Sequence, residues 1–211
     1  MTKKIAAFVV CAIIILLSAC INTVETKINS IKASILDIML EYPNIVTECV
    51  GVAISKDGYI LTTAHIIKEE YDYRDISIHC NINKTKYAVN IISVDRQKDL
   101  ALLKCDRAFL SFTCFIKKDL YAGQGIYIAV NTLNNGINIG GAVINNKQVI
   151  NYATYDRELL SIDTCIFSGY SGSPVVDKHG NAVGIICAKK ASDKTTFFAI
   201  KSQTIIDFLE D

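Results

Sequence analysis

Short runs of β-branched and aromatic residues, each closed by a turn signal, leave this chain few architectures. Val50–Ile54, Tyr59–Thr63, Ile76–Cys80, Tyr87–Val94, Leu100–Lys104, Ile126–Val130, Ile137–Ile144, Val149–Thr154, Ser173–Val176, Ala182–Ala188 and Thr196–Ile200 read as strands. Lys56-Asp57-Gly58, Asn134-Asn135-Gly136, Asn145-Asn146 and Lys178-His179-Gly180-Asn181 read as the turns between them. No helices alternate with these runs, so an all-β barrel or sandwich is expected rather than a parallel sheet with crossover helices. Only Ser202–Leu209 has helical spacing, through Ile205, Ile206 and Leu209, with Ser202 as a candidate N-cap. Ile28–Leu40 fits two readings. Ile28, Ile31, Ile35 and Ile38 suit a helix, whereas Ser34–Leu40 also suits a first strand.

Composition narrows the class of partner. The 211 residues are 51% hydrophobic and 20% charged with only 2 Pro and 11 Gly, which excludes a disordered or low-complexity chain. Lys plus Arg (22) against Asp plus Glu (21) leaves no single-sign field to attract nucleic acid. A chain of this size can bury enough apolar surface in one ordinary domain or two small ones without metal or disulfide staples.

The first residues read as an export signal. Lys3 and Lys4 precede an apolar run from Ile5 to Leu17, which is too short to span a bilayer but fits the hydrophobic region of a secretory signal. Leu17-Ser18-Ala19-Cys20 resembles a bacterial lipobox, so residues 1–19 are expected to be removed and Cys20 to be lipidated. Acyl chains would then hold the protein on a bacterial membrane, facing the periplasm or the cell surface, without a spanning helix. The other readings are a plain signal cut near Ala19 and an uncleaved anchor.

Six further cysteines remain: Cys49, Cys80, Cys105, Cys114, Cys165 and Cys187. Outside the cytosol they are open both to disulfide formation and to a role as small buried apolar residues, and sequence does not choose. With no C-x-x-C spacing and only His65, His79 and His179 available, no metal site is expected. His79 within a strand and His179 in a turn read as structural.

Three places carry chemistry. Gly51–His65 reads as a hairpin whose second strand ends at an imidazole, His65. Asp99 stands immediately before the apolar strand Leu100–Lys104, a place where a buried carboxylate can accept an imidazole N–H. Gly169-Tyr170-Ser171-Gly172-Ser173-Pro174 brackets Ser171 with glycines, whose backbone freedom permits a tight turn with converging N–H groups. Each feature is common by itself, but they follow in the order His, Asp, Ser, 34 and then 72 residues apart. From Ala33 to Leu209 the chain resembles the trypsin-like, chymotrypsin-fold serine peptidases, particularly bacterial HtrA/Deg-type peptidase domains. Ser55–His65, Asp95–Lys104, Gly169–Pro174, Asn181–Ile185 and Phe198–Ser202 all have counterparts in one order.

That resemblance implies two six-stranded Greek-key β-barrels with the active site in the cleft between them and a short C-terminal helix. The N-terminal barrel would take residues 20–112, and the C-terminal barrel with its helix residues 113–211. It implies a serine endopeptidase acting on protein or peptide substrates through His65, Asp99 and Ser171, with no cofactor. The N–H groups of Gly169 and Ser171 would form the oxyanion hole, and Cys165, Ile166, Ile186, Cys187 and Ala188 would line the substrate pocket. The alternative is a catalytically silent trypsin-like domain that uses its cleft to bind protein. Oligomeric state is not readable. Tyr170 stands where the digestive enzymes carry Asp, so activation by a freshly cut N-terminus pairing with that Asp is not expected. Ser173 replaces the second Gly of the commoner Gly-Gly-Pro ending. Gly-Ser-Pro resembles staphylococcal glutamyl endopeptidases, but Ile186 stands at their pocket histidine, so acidic specificity is not expected. The chain stops at Asp211, where most HtrA-type proteins continue into a PDZ domain.

Overall fold

The computed structural model describes residues 26–211 except 73–75, 83–84, 133–135, 153–154, 165–169, 191 and 193–194. A helix over 26–34, α1, runs directly into the first strand, so both readings of the Ile28–Leu40 segment apply to part of it. The strands are β1 (Ile35–Glu41), β2 (Val46–Ala53), β3 (Tyr59–Thr63), β4 (Ser77–Ile82), β5 (Thr85–Asp95), β6 (Leu100–Cys105), β7 (Gly125–Thr132), β8 (Gly136–Tyr152), β9 (Tyr155–Asp163), β10 (Pro174–Asp177), β11 (Ala182–Lys189) and β12 (Thr196–Lys201). A final helix, α2, covers Ser202–Glu210.

All the strand pairs are antiparallel, and they close into two barrels: β1-β2-β3-β6-β5-β4 and β7-β8-β9-β12-β11-β10. The second repeats the strand order of the first, although the sequence shows no repeat. Closure pairs every strand with two neighbours, which removes the exposed edges of an open sheet. Each barrel fills its interior with branched residues: Ile38, Leu40, Ile60 and Leu103 in the first, and Ile126, Ile128, Ile144 and Ile162 in the second. At roughly 1.5–3 kcal/mol per fully buried aliphatic side chain, these layers supply most of the drive to fold.

Two apolar seams join the barrels. Leu61 and Leu100 of the first pack with Ile185, Phe198 and Ile200 of the second and with Ile205 and Phe208 of α2. Ile31 of α1, Ile35 and Val50 pack with Ala129 and Val176. The connecting segment 106–124 touches both halves: Thr113 N–H donates to Ala53 O at 2.8 Å, and Ile116 N–H to Ala182 O at 3.0 Å.

The strand pattern differs from the sequence reading in the second barrel. Asn145-Asn146 is not a turn: β8 runs through it to Tyr152, with a register shift against β9 between Ile144 and Asn146. Tyr155–Asp163, not read as a strand, pairs with β8 and β12. In α2 the cap position falls on Lys201 rather than Ser202, because β12 feeds the helix without an intervening loop, and no side chain caps it. Cys49, Cys80, Cys105 and Cys187 are buried free thiols and Cys114 an exposed one, while Cys165 lies outside the described residues. Burial pushes the Cys49 and Cys80 thiols up to about 12, so both stay protonated.

The β10–β11 turn is organised by a buried carboxylate. Asp177 accepts backbone N–H bonds from His179 (2.8 Å) and Asn181 (2.9 Å) and pairs with Lys118. Burial alone would raise its pKa, but Lys118 and the Asn181 and His179 donors outweigh that and lower it to about 2 from 3.8. A depressed folded-state value stabilises the fold above the unfolded value, and the contribution disappears as pH falls through the folded one. Urea unfolding is therefore expected to show wild type losing about 2 kcal/mol between roughly pH 4 and pH 2 relative to Asp177→Asn. Parallel pH curves for the two proteins would remove this role.

Candidate active site

His65 sits in a single 3-10 turn, Ala64–Ile66, that ends β3. Small residues before it let the chain turn sharply, and Asp99, just ahead of β6, meets it from the neighbouring strand. Thr63 pairs with Leu100 in the β3–β6 ladder, so the two site residues leave adjacent strand ends. Ala64 N–H donates to Asp99 O (3.1 Å), and His65 N–H donates to Asp99 Oδ1 (2.9 Å). Asp99 takes a left-handed backbone conformation, φ 55°, uncommon for a residue with a side chain. This conformation accompanies a carboxylate that serves both the backbone and the ring of His65.

The imidazole Nδ1 lies 3.0 Å from Asp99 Oδ2 and 3.1 Å from Oδ1. That contact favours a proton on Nδ1 and leaves Nε2 as an acceptor. On the opposite side Nε2 lies 3.2 Å from Ser171 Oγ. The Asp99 side chain is 5% exposed and that of His65 is 40% exposed, so the carboxylate is shielded while the imidazole opens to solvent. The first barrel thus supplies His65 and Asp99, and the second supplies Ser171 from the turn before β10.

The serine turn is fastened on both sides. Ser173 N–H donates to Tyr170 O (2.9 Å), Gly172 N–H to Ile186 O (2.8 Å), and Ile186 N–H to Ser173 O (2.8 Å). Across the seam, Val50 N–H donates to Ser171 O (3.0 Å). Gly172 has φ +90°, and a Cβ there would lie 1.8 Å from Val50 O, so both conformation and contact require glycine. The Val50 carbonyl is in turn held by the Thr62 hydroxyl at 2.8 Å. Val50 escaped the sequence reading because a backbone amide leaves no side-chain signal.

The other expected site residues fall in different places. Tyr170 is buried in the second-barrel core rather than projecting over the turn. Ile186 is 2% exposed and belongs to that same core, whereas Cys187 and Ala188 join the seam cluster beside Leu61 and Leu100. Cys187 Sγ also lies 3.4 Å from Phe198 O. Gly169, Cys165 and Ile166 lie outside the described residues, as do residues 1–19 and Cys20. His79 Nε2 lies 3.6 Å from Glu41 Oε2, and the side chains of His179 and His79 are not part of the site. Among the described residues no group of three or more His, Cys, Asp or Glu is placed to hold a metal ion, and no helix is long and apolar enough to cross a membrane. A cavity of about 770 Å³ on the second barrel, walled by Tyr121, Tyr127 and Val143, contains none of His65, Asp99 or Ser171.

Two six-stranded barrels of one topology, with an acid, an imidazole and a hydroxyl aligned between them, define a chymotrypsin-fold protein. Residues 49–185 match the family model described as trypsin-like peptidase domain. The chain belongs to that family. It is 26% identical over 167 residues to serine protease HTRA4 of Mus musculus, covering 76% of this chain and 33% of that protein. It is 24% identical over 138 residues to a probable periplasmic serine endoprotease DegP-like of Chlamydia trachomatis, covering 64% and 27% respectively. The active form of the Rv3671c protease of M. tuberculosis superposes with TM-score 0.76 at 18% identity, over 87% of this chain and 82% of that one. The chain spans about a third or less of the length of these two curated relatives.

Proposed function

We propose that this domain is a serine endopeptidase that cleaves peptide bonds through an acyl-enzyme. The observation that carries the reading is the unbroken line from Asp99 through His65 to Ser171 Oγ, with contacts of 3.0 and 3.2 Å. Ser171 Oγ attacks the substrate carbonyl carbon as His65 Nε2 takes its proton, and Asp99 stabilises the imidazolium. The N–H groups of Gly169 and Ser171 receive the developing oxyanion, a contribution of roughly 2.7–4 kcal/mol per donor in the best-studied case. His65 then protonates the leaving amine, and water activated by the same imidazole releases the acyl group and restores the serine. The test is a fluorophosphonate probe, which should label the folded wild-type protein covalently. A folded protein that stays unlabelled would refute the reading and favour a silent binding domain.

Cys165, Ile166, Ile186, Cys187 and Ala188 are proposed to shape the pocket for the side chain before the scissile bond. None carries a charge to pair with Lys, Arg or Glu. A positional-scanning peptide library is expected to prefer small or aliphatic residues there, and a preference for Arg or Glu would overturn the assignment. We further place the division between the halves at residues 112 and 113, and the protein outside the cytoplasm, tethered to the membrane through Cys20. The Lys3-Lys4 start, the apolar run and Leu17-Ser18-Ala19-Cys20 support export and lipidation. The periplasmic designation of the Chlamydia trachomatis relative agrees with export.

A further inference from the structure

Resting on the peptidase reading above, we propose that Tyr42 and Arg96 are positioning residues for His65, each fixing the carbonyl of one of its two neighbours, Ile66 and Ala64. The turn that carries the imidazole is only three residues long, is closed by Ile67 N–H donating to Ala64 O at 3.0 Å, and has no side-chain cap at Thr63. Ala64 and Ile66 are buried while the imidazole between them is partly open to solvent, so hydrogen bonds to the turn's carbonyls add to the packing of its flanks. On the N-terminal side of His65, Arg96 Nη1 donates to Ala64 O at 2.8 Å. On the C-terminal side, Tyr42 Oη donates to Ile66 O at 2.7 Å and accepts the Lys68 N–H at 3.0 Å. One phenol thus joins two main-chain groups that have no ladder partner in a strand.

Both clamps are themselves anchored. The Tyr42 residue is 6% exposed, its ring lies 4.8 Å from that of Tyr71, and its backbone N–H donates to Ile45 O at 2.9 Å. Arg96 Nε pairs with Glu69 Oε1 at 3.1 Å, and Glu69 belongs to the same segment that follows His65. Arg96 also lies three residues before Asp99, and its carbonyl accepts the Asp99 N–H at 3.3 Å. The turn that supplies the acid therefore also supplies the guanidinium that holds the backbone of the base. Movement of one carries the other, which keeps the Asp99–His65 contact while setting how far the imidazole reaches toward Ser171. Proton transfer is sensitive to such settings, and a displacement of about 1 Å can cost roughly 100-fold in rate.

Tyr42→Phe removes one hydroxyl and keeps the ring. Arg96→Met keeps the stem and removes the donors, and Arg96→Lys restores a charge and a donor. Steady-state hydrolysis of the best library peptide is expected to show kcat reduced about tenfold in Tyr42→Phe and in Arg96→Met, with KM within twofold of wild type. Arg96→Lys should recover most of the loss, and the fluorophosphonate labelling rate should fall in parallel. Hydrogen exchange gives a second readout, because Tyr42→Phe should accelerate the Lys68 amide at a temperature where β1 and β6 amides remain protected. Wild-type rates in folded Tyr42→Phe and Arg96→Met, or a loss confined to KM, would overturn the positioning role alone. Failure of the wild type itself to label would instead overturn the peptidase reading.

Discussion

Ser171→Ala is expected to abolish fluorophosphonate labelling and lower peptide turnover by about a millionfold, the size of the loss when a triad serine is removed from the best-studied enzyme. The substitution deletes a single oxygen, whose described contact is the 3.2 Å approach to His65 Nε2, so melting should change by no more than a few degrees. That separation of large chemical effect from small structural effect identifies a nucleophile. His65→Ala should abolish turnover comparably, because the hydroxyl then has no base within reach, and adding it to Ser171→Ala should cost almost nothing more. Additive losses in the double variant, or labelling that survives Ser171→Ala, would place the nucleophile elsewhere.

Gly172→Ala should be the most damaging single methyl in the site. The residue holds φ +90°, and the new Cβ would meet Val50 O at 1.8 Å and Thr62 Oγ1 at 3.0 Å. Retreat of that carbonyl is opposed by the Thr62 hydroxyl and by the Val50 N–H bond to Ser171 O. The cost is expected to exceed about 3 kcal/mol, which for a chain of this length means a Tm lower by roughly 6–12 °C. Labelling should be lost even well below that temperature, since the turn must shift to admit the methyl. Gly125→Ala is the matching control, because nothing lies within 4 Å of its added Cβ. Calorimetry that finds Gly172→Ala as stable as Gly125→Ala would mean the turn is not seated on Val50.

The sequence made some parts of this structure readable and hid others for physical reasons. His65, Asp99 and Ser171 were readable because each lies in a local pattern: small residues ending a strand, an acid opening one, and glycines around a serine. Their convergence depended on the family resemblance, and the contacts at 3.0 and 3.2 Å supply the distances. Tyr42, Arg96 and Val50 gave no signal, because they act on main-chain groups brought near by the barrel. The same limit applies to secondary structure. Asp156, Arg157 and Glu158 look like loop residues, yet β9 pairs through them with Ile150 and its neighbours, since strand preference depends on the partner strand more than on the residue. Asn145-Asn146 looked like a turn for the converse reason: local chemistry permits one, and pairing to β9 overrides it. The left-handed Asp99 is likewise invisible locally, because only its paired contacts with the His65 turn call for that conformation.

The seam at Val50 has a consequence for how the molecule comes into being. The serine's own carbonyl is a rung between the halves, and the first barrel provides the donor. Correct aim of the hydroxyl is therefore a property of the assembled pair and belongs to neither half. The hydroxyl is held in that position only once the two barrels have docked, whichever of them closes first.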